Sequence, residues 1–464
     1  AKMNPITTNF MPGERFFDHY NLATLEDPDF YPDGRDLGEN YTYTLWLTSP
    51  CVKAGKLECV HCHTSSGRYK FTGDKANEAC LPCHKERVEM ATVHTHHQAD
   101  SKGNICISCH MPMTSFARMQ RSDHSMRPPT PAATIAFKSP NACNICHKDM
   151  DAKWSDDHVR KWRSRDYQAP VLYRAELVAA ARKRDWRRLN DILTFITDEK
   201  SDSIFVVSLI RLLGTCDAPA KWPVIRNALK NTSPFVRSAA AQGLTGDDSR
   251  ESLDSLITAV GDEYRLVRVS AASALARYAN TLPDMESRRK CDAAMRELES
   301  SFMCFPDSWS SHYNMGNYYE ERGWSSQAIA SYEHAIKLRP DSILPMVNAA
   351  MIHARQENLE AAIKLLKNAL SIEPKHAAVN FNLGLALAEQ NKMTEAESHL
   401  RAALATDPDM AQAAYNLGVM LNKRAVHDEG IKWCRRAVEL MPNNQTYANA
   451  LNFYLDTQKQ KAEK

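Results

Sequence analysis

The sequence predicts a mostly α-helical chain in which a loop-rich N-terminal region precedes a two-part α-solenoid. Three observations predict it. Small residues and prolines recur at one constant interval over 307–442. A shorter helical motif recurs at an offset of 31 in the segment before. Eight of the 13 cysteines fall into four copies of one pattern near the start of the chain. The remaining composition is that of an ordinary globular protein: 464 residues, 43% hydrophobic, 25% charged. That length suggests two to four domains. No run of 18 apolar residues is present, so no membrane-spanning helix is expected. A net charge of +2 is too balanced for nucleic acid as a partner. The opening AKMNPITTNF lacks a charged-then-apolar signal pattern, as expected either of a chain that never had one or of a mature, processed chain.

The first domain is read over 1–165. It holds nine of the 13 Cys and 11 of the 17 His. An arm over roughly 1–50, rich in Asp, Tyr, Phe and Pro, reads as loops with short elements. The region is poor in Leu, Ile and Val, so something other than side chains is expected to fill its core. Four C-x-x-C-H motifs follow: Cys59–Cys62–His63, Cys80–Cys83–His84, Cys106–Cys109–His110 and Cys143–Cys146–His147. This is the c-type haem attachment signature. Two thiols three residues apart reach the two vinyl groups of one porphyrin, and the next residue, His, falls under the iron. Zinc and disulfides are the alternatives for paired cysteines, but neither requires a His after every second Cys. The cofactor expected is therefore four haem c groups, with iron held by proximal His63, His84, His110 and His147. Only short stretches of chain separate these four histidines, so neighbouring haems are expected to come close.

Iron with His on both sides needs four further histidines. The candidates are His94, His96 and His97 of VHTHH, His124 of RSDHSMRPP, His19 of FFDHY, and His61 inside the first motif. His158 lies on an expected helix and reads as a surface residue, and Met111 and Met113 directly follow a proximal His, which favours packing over ligation. Arg68, Lys70, Arg121, Arg127 and Lys138 are candidate partners for haem propionates, with solvated surface charge the alternative. Of the other cysteines, Cys291 and Cys304 are the nearest possible pair. Cys216 and Cys434 read as buried thiols, and Cys51 completes the set.

The second domain is read over 166–300. VRSAAAQGL (236–244) matches VRVSAASAL (267–275), aligning Val236 with Val267, Arg237 with Arg268, Ala240 with Ala271 and Leu244 with Leu275. Paired helices with this V-R-x-x-A-A pattern resemble HEAT repeats. The third domain is read over 301–464. Pro340, Pro374, Pro408 and Pro442 are evenly spaced. The same interval separates Gly316, Ala350, Gly384 and Gly418, and again Ala335, Ala369, Ala403 and Ala437. Small residues let two helices approach and the proline ends the second one. The pattern resembles four tetratricopeptide (TPR) repeats, with 443–460 as a solvating cap helix.

From GENYTYTLWLTSPCVKAGKLECVHCH onward, and most specifically in CISCHMPMTSFARMQRSDHSM and SPNACNICHKDMDAKW, the chain resembles a family of multihaem c-type cytochromes. That family joins a C-x-x-C-H-rich domain to HEAT-like and TPR repeats. The resemblance implies electron-transfer cytochromes of the periplasm or cell exterior and supports His124 as a ligand. Members often read C-H-x-P-H at the first motif, where this chain reads CHTSSG. The expected function is electron transfer through four closely spaced haems, with the repeats as a docking or assembly surface for redox partner proteins or for self-association, up to an extracellular haem filament. The alternative is a multihaem oxidoreductase whose one five-coordinate haem acts on a small nitrogen or sulfur compound. A binding scaffold with mainly structural haems is the third reading.

Overall fold

The computed structural model describes residues 3–38, 41–55, 57–116, 119–282 and 284–462. The architecture is mostly helical and contains a repeat solenoid, as the two periods predict. The chain divides into two compact units, Ala1–Ser301 and Phe302–Lys464.

The second unit is built from helix pairs, one pair per repeat. Trp309–Glu321 pairs with Ser325–Leu338, and Ile343–Arg355 with Leu359–Ile372. Ala377–Glu389 pairs with Met393–Thr406, and Ala411–Lys423 with His427–Leu440. A final helix, Gln445–Ala462, covers the end. The small residues act where the period placed them. A Cβ at Gly418 would lie 2.6 Å from Cys434 Sγ and 2.8 Å from the Cys434 backbone nitrogen. One at Gly384 would lie 2.9 Å from Leu400 Cγ. The space between the helices is filled by leucines, Leu383, Leu400, Leu417 and Leu421 among them, all buried.

The turn inside each pair also obeys the period. Gly323, Glu357, Asn391 and Ala425 have φ of 73°, 62°, 60° and 63°. In each repeat the next residue donates its N–H five residues back: Trp324 to Tyr319, Asn358 to His353, Lys392 to Leu387 and Val426 to Leu421. This is the Schellman ending, which satisfies helix carbonyls through one left-handed residue. Three of the four are not glycine, so the first repeat alone announces the turn in its sequence.

In the first unit the two V-R-x-x-A-A segments form the helices Pro234–Gly243 and Arg265–Leu275. Their equivalent arginines do the same work. Arg237 grips Asp262 at 2.7 and 3.0 Å, and Arg268 grips Glu297 at 2.8 and 2.7 Å. Each also donates to two carbonyls of the loop before its own helix. Two-pronged guanidinium pairs of this kind fix direction as well as distance.

The N-terminal arm differs from its sequence reading in one respect. It contains short elements, an antiparallel pair Met3–Pro5 with Tyr20–Leu22 and the helix Thr42–Thr48. It also has a dense apolar core: Leu22, Leu25, Phe30, Tyr41 and Leu45 are all at most 2% exposed. That core is shared with distant helices. Arg182 donates to the carbonyls of Leu25, Asp27 and Phe30, and Arg211 reaches Asn21, Leu22, Thr24 and Glu26. Phe17 stacks on Phe235 at 5.1 Å. The expectation that the whole region 1–165 lacks an aliphatic core is therefore corrected for the arm, which borrows one from residues 180–240.

The segment between is different. From Leu45 to Ala132, prolines aside, Ala76 is the one buried apolar residue among those described. Val60, Leu81, Met90, Val93, Met113 and Met119 are exposed instead. Among the described residues no disulfide forms, and the possible Cys291–Cys304 pair is not made.

Candidate functional site

The four motifs lie on short helical turns: Cys59–Cys62, the start of Leu81–Glu89 behind Cys80, Cys106–His110 and Ala142–Cys146. One turn puts the two cysteines of a motif on one side, and the helix Cys106–His110 ends on its own motif His. His63 and His147 are the residues that cap their turns, and His84 breaks helical geometry at φ −124°, ψ 38°.

Three of the motif histidines meet a second imidazole. His63 faces His124 with ring centroids 6.3 Å apart and planes 25° apart. His94 faces His110 at 6.3 Å and 12°. His97 faces His147 at 6.1 Å and 34°. The VHTHH cluster is split by a helix end: Ala91–Thr95 stops at His96, which sits at φ 62°. The reversal sends His94 and His97 to different motifs and lays exposed His96 on Trp162 at 4.6 Å.

Ring orientation is set by second partners. Nδ1 of His63, His124 and His97 each meets a backbone carbonyl, of Gly67 (3.0 Å), Ser122 (2.8 Å) and Thr95 (2.9 Å). A carbonyl only accepts, so each Nδ1 carries the proton and each Nε2 keeps its lone pair. The exposed Arg87 guanidinium lies 3.1 Å from His94 Nδ1. Burial, with Arg163 and Arg87 nearby, pushes His94 down to about 4. Burial also lowers His110 and His124. All three are therefore neutral imidazoles at pH 7, the form that coordinates metals.

His124 is held from far away in the chain. Its neighbour Asp123 is buried and pairs with Arg35 at 3.2 Å, and Arg35 pairs with Asp33 at 2.7 Å. Arg127 Nη1 donates to the Asp33 carbonyl at 2.6 Å. Buried Arg127 keeps two donors, Nε and Nη2, without a protein partner, and burial beside Arg35 lowers it to about 10. The Tyr69 hydroxyl, close to the thiols of Cys62, Cys80 and Cys106, is also buried without a partner. The Cys80 and Cys106 thiols hydrogen-bond each other, lowering Cys106 and raising Cys80.

The other sequence candidates go elsewhere. His19 is buried in the arm, with Nδ1 2.6 Å from Thr7 Oγ1 and Nε2 3.0 Å from Glu14. His61 Nε2 meets the Ala79 carbonyl at 2.9 Å. His158 lies between Trp154 and Trp162 with Nδ1 on the Trp154 carbonyl, half-buried and not on the open surface. Among the described residues no group of three or more His, Cys, Asp or Glu is placed to hold a metal ion. The partnerless buried Tyr69 hydroxyl and the arginine–aspartate network behind His124 are the features that sequence reasoning missed. Both depend on contacts between distant parts of the chain and leave no local pattern.

The repeat regions match known families. The HEAT repeats family matches residues 196–287. Tetratricopeptide repeat families match 310–342, 347–409 and 394–445. No curated protein matches the chain. Among solved structures, MamA is 17% identical, with a TM-score of 0.30 over 34% of this chain and 95% of its own. YrrB, a TPR protein with an unusual peptide-binding site, is 20% identical with a TM-score of 0.31 over 39% and 91%. The first TPR of Spaghetti (RPAP3), bound to an HSP90 peptide, is 21% identical with a TM-score of 0.25 over 25% and 93%.

These findings correct the expected function. The matched families are repeat families, none of them a cytochrome family. Electron transfer, with its filament version, and the catalytic alternative are set aside. No described helix is long and apolar enough to cross a membrane. The solenoid part of the chain consists of HEAT and tetratricopeptide repeats.

Proposed function

We propose that the chain is a repeat-protein scaffold that docks an extended peptide of a partner protein on its TPR helices. The observation that carries this is a second polar period. Asn314, Asn348, Asn382 and Asn416 recur at the repeat interval on the first helix of each pair, outside the apolar core. An amide side chain both donates and accepts, so amides repeated at one register match the alternating N–H and C=O groups of an extended backbone. Asn348 is already oriented, its Nδ2 donating to Asn317 Oδ1 at 3.0 Å. The test is a peptide library selected on the wild-type chain, then measured against Asn348→Ala with Asn382→Ala. Affinity for the selected peptides should fall at least tenfold with the melting temperature unchanged. Equal binding by the double variant would sink the reading.

The N-terminal region of the scaffold is proposed to carry four haem c groups, one on each motif, which places the chain in the periplasm or outside the cell. The donor chemistry supports this. Two metal–imidazole bonds of about 2 Å each, plus the two ring radii, account for roughly 6 Å between facing rings. A porphyrin supplies four nitrogens itself and needs only two imidazoles, so a cage of three or more side chains is not required. Bound haem would supply an apolar disc and an iron that takes imidazole nitrogen. The residues that would hold it are the cysteine pairs, by thioether bonds, and the imidazoles of His63 and His124, His94 and His110, and His97 and His147. Buried Arg127 would offer its two unpartnered donors to a propionate. Mass spectrometry and a pyridine haemochromogen assay of the chain exported with its haem attachment machinery should count four haems. A mass equal to the bare sequence refutes the haem part.

A further inference from the structure

The unit Ala1–Ser301 contains 11 histidines, and all of them lie among the described residues. Six are taken up in the three facing pairs. Four more are held by other partners: His19 by Thr7 and Glu14, His61 by the Ala79 carbonyl, His96 by the face of Trp162, and His158 by the Trp154 carbonyl. The eleventh is His84. It is exposed, and among the described residues of this unit no other ring faces it. The second motif therefore has the two thiols and the proximal imidazole of the other three but lacks the opposing one.

We propose that the iron at the second motif takes its sixth ligand from outside the chain, as a small neutral donor of the carbon monoxide or imidazole class, with His84 its single protein ligand. This rests on the haem reading above. Two chemical features favour it. The neighbouring histidines cannot swing over without losing a carbonyl or an indole face. The helix Leu81–Glu89 that carries the motif has no buried residue, so its surroundings are open to a solute.

The experiment uses the holoprotein. Haem is counted first. Low-temperature EPR of the oxidised form and a carbon monoxide titration of the reduced form follow. The expected result is one high-spin iron in four and one carbon monoxide bound per four haems. Cys80→Ser with Cys83→Ser should retain three haems and lose carbon monoxide binding. Should that variant not fold, the wild-type stoichiometry decides alone. A chain without haem fails the reading on which this rests. Four haems that are all low-spin and ignore carbon monoxide fail this inference alone, whether the fourth ligand comes from a methionine or a second copy. More than one carbon monoxide per chain, or binding that survives in the three-haem variant, also overturns it.

Discussion

The TPR unit and the segment between Leu45 and Ala132 show two ways of holding a chain in shape. In the TPR unit every helix pair buries alanine at fixed register, and glycines such as Gly384 and Gly418 are there because a neighbouring helix occupies the place of their Cβ. In the motif segment the described apolar side chains other than Ala76 and prolines are half-buried or exposed, and order comes from turns, hydrogen bonds and ring contacts. Its glycines behave accordingly. Gly55 and Gly67 have open space around them and are needed for φ of 69° and 79°. Apolar burial at about 25 cal/mol per Å² stabilises the first kind of structure without help. The second kind needs a non-peptide group or a neighbour to lean on.

The largest expected effect removes the thiols proposed to hold such a group. With all eight motif cysteines changed to Ser, amides of 57–127 should exchange within seconds while the helices of 302–464 keep their protection. Mass-resolved hydrogen exchange reads both at once, and protected amides in 57–127 would break the contrast. Next comes the lean on the arm. Arg35→Met leaves Asp33 and Asp123 buried without their guanidinium, which should cost about 3–5 kcal/mol in urea unfolding of the first unit. Gly418→Ala should cost about 1–3 kcal/mol, because the added Cβ meets Cys434 backbone as well as its sulfur. Gly384→Ala should cost less, since the nearest atom belongs to the Leu400 side chain, although the Ala396 carbonyl stands at 3.2 Å. The smallest effect has the opposite sign. Glu357→Gly or Ala425→Gly should stabilise the TPR unit by about 0.5–1 kcal/mol, by removing a side chain from a left-handed position. A loss of thermal stability there would mean that these side chains make contacts worth more than the strain.

The two regions were also unequally legible. The TPR helices could be read because each contact repeats: Gly384 and Gly418 meet equivalent partners one repeat apart, Leu400 and Cys434. The left-handed turns could not, because Glu357 and Ala425 do not look like turn residues and only the neighbouring repeat reveals them. In the arm, Leu22, Leu25 and Phe30 are too few and too irregular to suggest a core. The residues that close over them, Arg182 and Ser208 among them, come far later in the chain, and no local window contains that fact. The motif cysteines and their histidines were legible because one C-x-x-C-H spacing recurs four times. Their opposing histidines were not. VHTHH offers three equivalent imidazoles, and the reversal at His96 chooses among them.

The sequence alone determined the repeat periods, the helix pairs they generate, and which cysteines and histidines share one repeated motif. These are short-range matters, settled by backbone period and covalent reach within a few residues. Only the tertiary structure decided that His124 stands opposite His63, that Arg35 and Asp123 hold it there, and that His84 faces no partner among the described residues of its own unit. Those depend on where segments far apart in the chain come to rest. Burial and ion pairing, which act through space with no sequence spacing of their own, are what decide it.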